Sequence, residues 1–213
     1  MKRISMALLA IMLFVGIGQT AAQVRAIFVG DSITRIFNDQ SADWFAENNF
    51  GRHGSDGKTT SWMLQNFKSG VLDKNPQCIV IGAGTNDIAR NDDNTAHVSV
   101  DHIFANIVTM VEQAQAAGIK VIITTVMPAE KYWFAPASVG SVANIIPRLN
   151  NKLEEYAATH DCGWVDYYSM FATATGKFDE RWSYDDCHPH TETTTTAAVM
   201  RGLVGAAIDE MLN

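Results

Sequence analysis

The chain has 213 residues, 47% of them apolar and 18% charged, with 16 basic against 23 acidic side chains and a formal net charge of -7. That length suits one domain, or at most two small ones, and the composition excludes a disordered polymer, a coiled coil and a collagen-like repeat. An acidic chain lacks the basic face that a phosphate backbone needs, so no nucleic-acid partner is expected. Its three cysteines are too few for a disulfide scaffold.

Lys2 and Arg3 precede an uncharged apolar stretch over residues 6–15, and small residues follow at Thr20-Ala21-Ala22. A basic start, an apolar run and a small-x-small end form the pattern of a secretory signal peptide. Cleavage is expected after Ala22, leaving a domain over 23–213 that is secreted or periplasmic and more acidic than the whole chain. The apolar run is short for a bilayer span of about 20 residues, so no stable membrane anchor is expected.

From residue 24 on, short β-rich runs alternate with helix-like segments. The strands are expected at 24–29 (VRAIFV), 50–53 (a weaker one), 78–81 (CIVI), 120–126 (KVIITTV) and 163–167 (GWVDY). Near-continuous apolar runs of this length suit strands buried on both faces. Helices are expected over 98–117, closed by Gly118, over 139–160 with an interruption at Pro147, and over 191–212 despite the run of four threonines from Thr193. The alternation implies an α/β protein, a parallel sheet of five strands with helices on both faces. In such sheets the working groups gather in loops at the carboxyl ends of the strands.

Those ends are informative. The first strand leads into Gly30-Asp31-Ser32-Ile33 and the third into Gly84-Thr85-Asn86-Asp87; the weak strand leads to Gly54-Ser55-Asp56-Gly57, and Asp185-Asp186-Cys187-His188-Pro189 lies near the end of the chain. A serine hydroxyl becomes a useful nucleophile when a base takes its proton, and imidazole titrates in the right range. Ser32 is the expected nucleophile and His188 the base. Asp185, three residues earlier, can hold the imidazole tautomer and stabilise the imidazolium. The oxyanion of a tetrahedral intermediate needs preorganised donors. Candidates are the backbone N–H groups of Ser32 and Gly57 and the side-chain amide of Asn86. Asp31 and Asp87 read as structural.

These four blocks, in this order, resemble those of the SGNH hydrolases, the GDSL esterase and lipase family: Gly30-Asp31-Ser32-Ile33 with isoleucine for leucine, the glycine at Gly57, Gly84-Thr85-Asn86-Asp87, and Asp185-x-x-His188-Pro189. The resemblance spans essentially the whole expected mature chain. It implies a three-layer α/β/α sandwich with a flavodoxin-like parallel sheet and a serine esterase or acylhydrolase activity, with the serine, glycine, asparagine and histidine in the roles just argued. Two blocks depart from the family's pattern. Residues 52–57 read Arg-His-Gly-Ser-Asp-Gly where the family has more nearly Asn-Arg-Gly-Ile-Ser-Gly, and His190-Thr191-Glu192 follows where an asparagine is common.

His190 is the rival base, and Asp185, Asp186, His188 and His190 could in principle bind a metal; the Asp-x-x-His-Pro spacing favours His188, and no second cluster completes a metal site. No metal and no cofactor are expected. Trp133, after the fourth strand, and Trp182, just before Asp185, are candidates to contact substrate, against the alternative that they pack the loops. Cys78, Cys162 and Cys187 read as small buried hydrophobes, with a Cys162–Cys187 bridge as the lesser alternative. The expected function is hydrolysis of short-chain esters, acetyl foremost, of a small molecule or a glycan. The alternatives are a lysophospholipase or thioesterase for longer acyl chains and, from another class, a non-catalytic carbohydrate-binding protein.

Overall fold

The computed structural model describes residues 22–91, 96–190 and 194–213. The expected signal segment lies, apart from Ala22, outside the described residues. Five strands form one sheet: β1 (Ala26–Gly30), β2 (Phe50–His53), β3 (Cys78–Gly82), β4 (Lys120–Thr124) and β5 (Cys162–Val165), in the order β2-β1-β3-β4-β5 with every pairing parallel. The central strands are the apolar ones because both their faces are covered. Side-chain alternation then divides each strand between two layers. Ile27, Val29, Ile79, Ile81, Val121 and Ile123 point into one core, whereas Ala26, Phe28, Cys78, Val80 and Ile122 point into the other.

Helices fill both sides. In chain order they are α1 (Ser32–Gln40), α2 (Ala42–Glu47), α3 (Thr60–Gln65), α4 (Phe67–Gly70), α5 (Thr85–Ala89), α6 (Val100–Ala116), α7 (Ile145–Ala157), α8 (Tyr167–Phe171) and α9 (Thr194–Leu212). The first core is closed by Met63 of α3, Phe67 of α4, Ile103, Ile107 and Met110 of α6, and Leu149 and Leu153 of α7. The second is closed by Ile33 and Phe37 of α1, Phe45 of α2, Phe171 of α8, and Met200, Val204 and Ile208 of α9. The molecule is thus the expected three-layer α/β/α sandwich.

The boundaries moved where local chemistry decided them. α6 is capped by Ser99, whose hydroxyl accepts from His102 N, and is followed, after Ala117, by Gly118 in the left-handed region, φ 75°. The helix expected over 139–160 starts only at Ile145. Pro147 therefore lies in its first turn, where a missing N–H forfeits no helical hydrogen bond, and it interrupts nothing. The fifth strand stops at Val165 because Asp166 caps α8 by accepting from Ser169 N at 2.9 Å. Residues 128–144 form a long loop instead of a helical extension, with Ala129, Tyr132 and Val142 buried in the first core. Of the expected last helix, residues 191–193 lie outside the described residues and the rest is α9. Among the described residues no helix is long and apolar enough to cross a membrane. Because all five strands run the same way, their carboxyl ends share one rim, which carries the four blocks.

Candidate active site

β1 ends at Gly30, and Asp31 caps α1 by accepting from Ile33 N at 3.0 Å. Ser32 is thereby the first residue of the helix, where backbone N–H groups have no acceptor within the helix and the helix dipole is positive. The loop after β2 comes in very close to β1. Gly54 has φ 129°, and a Cβ there would fall 1.6 Å from the Gly30 carbonyl oxygen, so glycine is required. Gly57, φ 70°, follows at the mouth of the site.

The last loop brings His188 to the serine. Ser32 Oγ lies 2.9 Å from His188 Nε2, and His188 Nδ1 lies 2.7 Å from Asp185 Oδ2. A carboxylate only accepts, so Nδ1 carries the proton and Nε2 is left with a lone pair directed at the hydroxyl. The other oxygen, Asp185 Oδ1, accepts from His188 N at 2.7 Å and Cys187 N at 3.0 Å. Burial alone would raise the Asp185 pKa, but the hydrogen bonds from His188 outweigh it and hold the carboxyl below its usual range. The neighbouring Asp186 takes up a left-handed backbone, φ 60°, and its carboxylate accepts from Glu130 N at 3.0 Å and Phe178 N at 2.9 Å. Asp186 thus fastens the loop on both sides, a role that nothing in the sequence pattern signals.

Asn86 and Asp87, in the short helix α5 after β3, divide their work. Asp87 is buried and accepts from Thr60 N and, at 2.6 Å, from Thr60 Oγ1, which ties α5 to α3. Asn86 Nδ2 donates to Lys58 O at 3.1 Å and more distantly, at 3.4 Å, to Asp31 Oδ2. These contacts orient the amide at the edge of the cleft that holds Ser32, Gly57 and His188. Asp31 is almost wholly buried below this cluster. Burial, partly offset by its bond from Ile33 N and by His188, pushes its pKa up to about 6.

The family model for GDSL-like lipases and acylhydrolases matches residues 28–193. The chain belongs to that family. Among solved structures, a suspected acylhydrolase from Bacteroides fragilis is 34% identical, with 91% of this chain and 90% of that one covered and a TM-score of 0.83. A GDSL-like lipase from Bacteroides thetaiotaomicron is 31% identical, over 88% and 89% of the two chains, with a TM-score of 0.81. An acetylxylan esterase from Geobacillus stearothermophilus, 16% identical over 86% and 93%, shares the fold with a TM-score of 0.65. No curated protein sequence matches. The chain is accordingly an ester-hydrolysing enzyme of the acylhydrolase family.

The remaining site candidates of this acylhydrolase separate in space. The cleft, about 390 Å³, is lined by Ser32, Gly57, Asn86, Trp133, Tyr184 and His188 together with Arg35, Asp56, Arg90 and others. Trp133 is 69% exposed at its rim and donates through Nε1 to Asp185 Oδ2 at 3.1 Å, so this indole reaches the same oxygen as the imidazole. Trp182 does not line the cleft. Its ring packs 5.6 Å from that of Phe171, as part of the second core, because the chain turns between Trp182 and Asp185. Tyr184, the other aromatic just before Asp185, is exposed and stacks beside His188 with ring centroids 6.0 Å apart. His190 points away from Ser32, with Nε2 against Glu180 O at 2.9 Å. The three cysteines are free thiols. Cys78 and Cys187 are buried and Cys162 is partly so. Among the described residues no three His, Cys, Asp or Glu side chains gather as a metal site.

Proposed function

We propose that the enzyme is an exported serine esterase that removes short acyl groups, acetyl first among them, from a carbohydrate. The observation that carries the reading is the line Ser32 Oγ, His188 Nε2, His188 Nδ1, Asp185 Oδ2 at the floor of an open, mixed polar and aromatic cleft. In this reading His188 takes the hydroxyl proton as Ser32 attacks the ester carbonyl. The oxyanion rests on the N–H groups of Ser32 and Gly57 and on Asn86 Nδ2. The collapsing intermediate expels the alcohol, which takes the proton from His188, and leaves an acyl-serine. Water activated by the same imidazole then releases the acid and restores Ser32. Nothing in this sequence calls for a cofactor.

Two features favour a short acyl group on a sugar over a long chain. The cleft is open, with acidic, basic and amide groups around the serine, whereas a long acyl chain needs an apolar channel; the apolar cavity lined by Phe28, Ile33, Phe37 and Met200 has only about 40 Å³ of free space. Exposed Trp133 and Tyr184 stand at its rim, where aromatic faces suit sugar rings. The fold shared with an acetylxylan esterase agrees with this choice. The residues before the domain, with their basic start and Thr20-Ala21-Ala22 end, support export.

The test is hydrolysis of nitrophenyl esters from acetyl to palmitoyl, with acetate release from acetylated glycans measured in parallel. Activity greatest on acetyl and lost in folded Ser32→Ala supports the reading. A maximum at long chains moves the enzyme to the lipolytic class, and a wild-type protein with no turnover that still binds glycans would leave it a binding protein.

A further inference from the structure

The cleft does not end at Gly57. A second hollow of about 440 Å³ adjoins it and shares Gly57 and Arg90 as lining residues, with Lys58, Ser61, Trp62 and Gln65 beyond. Its cations rest on aromatic rings, as Arg25, Lys152 and Arg181 do elsewhere, but those three also have carboxylate partners. Arg35, across the cleft, is neutralised by Asp56 and Asp39. By contrast, Lys58 Nζ sits 4.6 Å from the centroid of the Trp62 ring, and the Arg90 guanidinium lies 5.9 Å from that of Phe134. Among the described residues neither is in an ion pair. Trp62 is itself braced from behind by His53, stacked at 5.5 Å.

A cation resting on a ring is positioned by it, yet keeps its N–H donors for another partner. Two such cations beside one polar hollow, on a protein of net charge -7, make a local reversal of the field that favours an anion. Being held in advance, they lose little side-chain freedom when the anion arrives. Ser61 and the exposed amide of Gln65 add hydroxyl-binding capacity at the same wall. The hollow begins at Gly57, one of the oxyanion donors, within reach of a sugar linked to the one that carries the ester.

We propose that this hollow is a subsite for an acidic sugar, a residue whose carboxylate is received by Lys58 and Arg90 while the acyl ester on the adjoining sugar lies at Ser32. The proposal rests on the carbohydrate-esterase reading above and narrows it to anionic glycans.

The test uses the full-length, catalytically silent Ser32→Ala protein and isothermal titration with trigalacturonate and with its fully methyl-esterified form, in which every carboxylate is capped as a neutral ester. The acid is expected to bind about tenfold or more tightly at low salt, the preference shrinking as salt rises. Lys58→Gln and Arg90→Gln are each expected to bring the acid towards the affinity of the ester. The Lys58 change spares the backbone carbonyl that holds Asn86. Equal affinities, no binding of either form, or a preference that survives both substitutions would overturn the subsite. Turnover of nitrophenyl acetate by the wild type separates the two claims: an active enzyme without charge preference loses the subsite alone, and an inactive one loses the esterase reading itself.

Discussion

Replacing Asp185 by asparagine is the most searching test of the triad, because the carboxylate accepts four hydrogen bonds and offers none. Oδ1 receives His188 N and Cys187 N, and Oδ2 receives His188 Nδ1 and Trp133 Nε1. Asparagine keeps one acceptor oxygen and presents an NH2 in place of the other. If the oxygen stays on the two backbone donors, the NH2 faces the imidazole. Nδ1 must then accept, the ring proton moves to Nε2, and Nε2 points a proton at Ser32 instead of a lone pair. The opposite rotamer would keep the correct tautomer but set the NH2 against both backbone N–H groups. That forfeits two bonds to a neutral amide oxygen, about 0.5–1.5 kcal/mol each, or about 1–3 kcal/mol together, and leaves two backbone N–H groups unpaired, whereas the first rotamer forfeits only the bond from the exposed Trp133 indole. The unproductive tautomer therefore dominates. kcat for nitrophenyl acetate should fall by about 10⁴, as when the carboxylate of a serine-protease triad is made an amide. Thermal melting should show a folded protein. A folded Asp185→Asn enzyme within tenfold of the wild-type kcat would refute the triad as drawn.

Asn86→Ala should lower kcat by about 10²–10³ with little change in KM, because its amide acts on charge that develops in the transition state; steady-state kinetics showing raised KM at unchanged kcat would make it a substrate-positioning residue. Trp133→Phe keeps an aromatic ring at the rim and removes the donor to Asp185. One hydrogen bond of about 1 kcal/mol corresponds to a kcat about fivefold lower, and an effect confined to KM would assign the residue to substrate contact alone. Asp31 should make stability depend on pH. Its folded pKa of about 6 lies above the ordinary 3.8, so the folded state holds the proton more tightly. This group's favourable contribution is complete below pH 3.8 and is lost as pH rises through about 6, a cost of about 3 kcal/mol. Urea denaturation should show wild type losing that much relative to Asp31→Asn between pH 4 and pH 7, and a constant difference would refute it.

Much of this protein is written locally. β1, β3 and β4 are legible as continuous apolar runs because both faces of a central parallel strand are buried. The four motif blocks are legible because the proposed nucleophile, base and oxyanion donors need particular residue types, and each block stands at or near the end of an element. The short helices α2, α3, α4, α5 and α8, of four to six residues, were not legible. They make too few turns to show a periodic apolar face, and caps such as Thr59 and Asp166 define them only in place.

Tertiary structure alone decided which of the chemically similar residues serve the site. Tyr132 and Trp133 are neighbours in a single aromatic run, yet Tyr132 is buried in the core and Trp133 reaches Asp185, 52 residues away, across the gap between two loops. Trp182 and Tyr184 are two residues apart, and the turn between them packs one ring against the second core and leaves the other beside His188. Asp31 adjoins the proposed triad and Asp185 belongs to it. The first is sealed beneath it, where burial raises its pKa, and the second is held ionised by four donors. Residue type and spacing state what chemistry a chain can perform; burial and the partners brought from distant elements determine which copy of each residue type performs it, because desolvation and hydrogen bonding act through space and not along the chain.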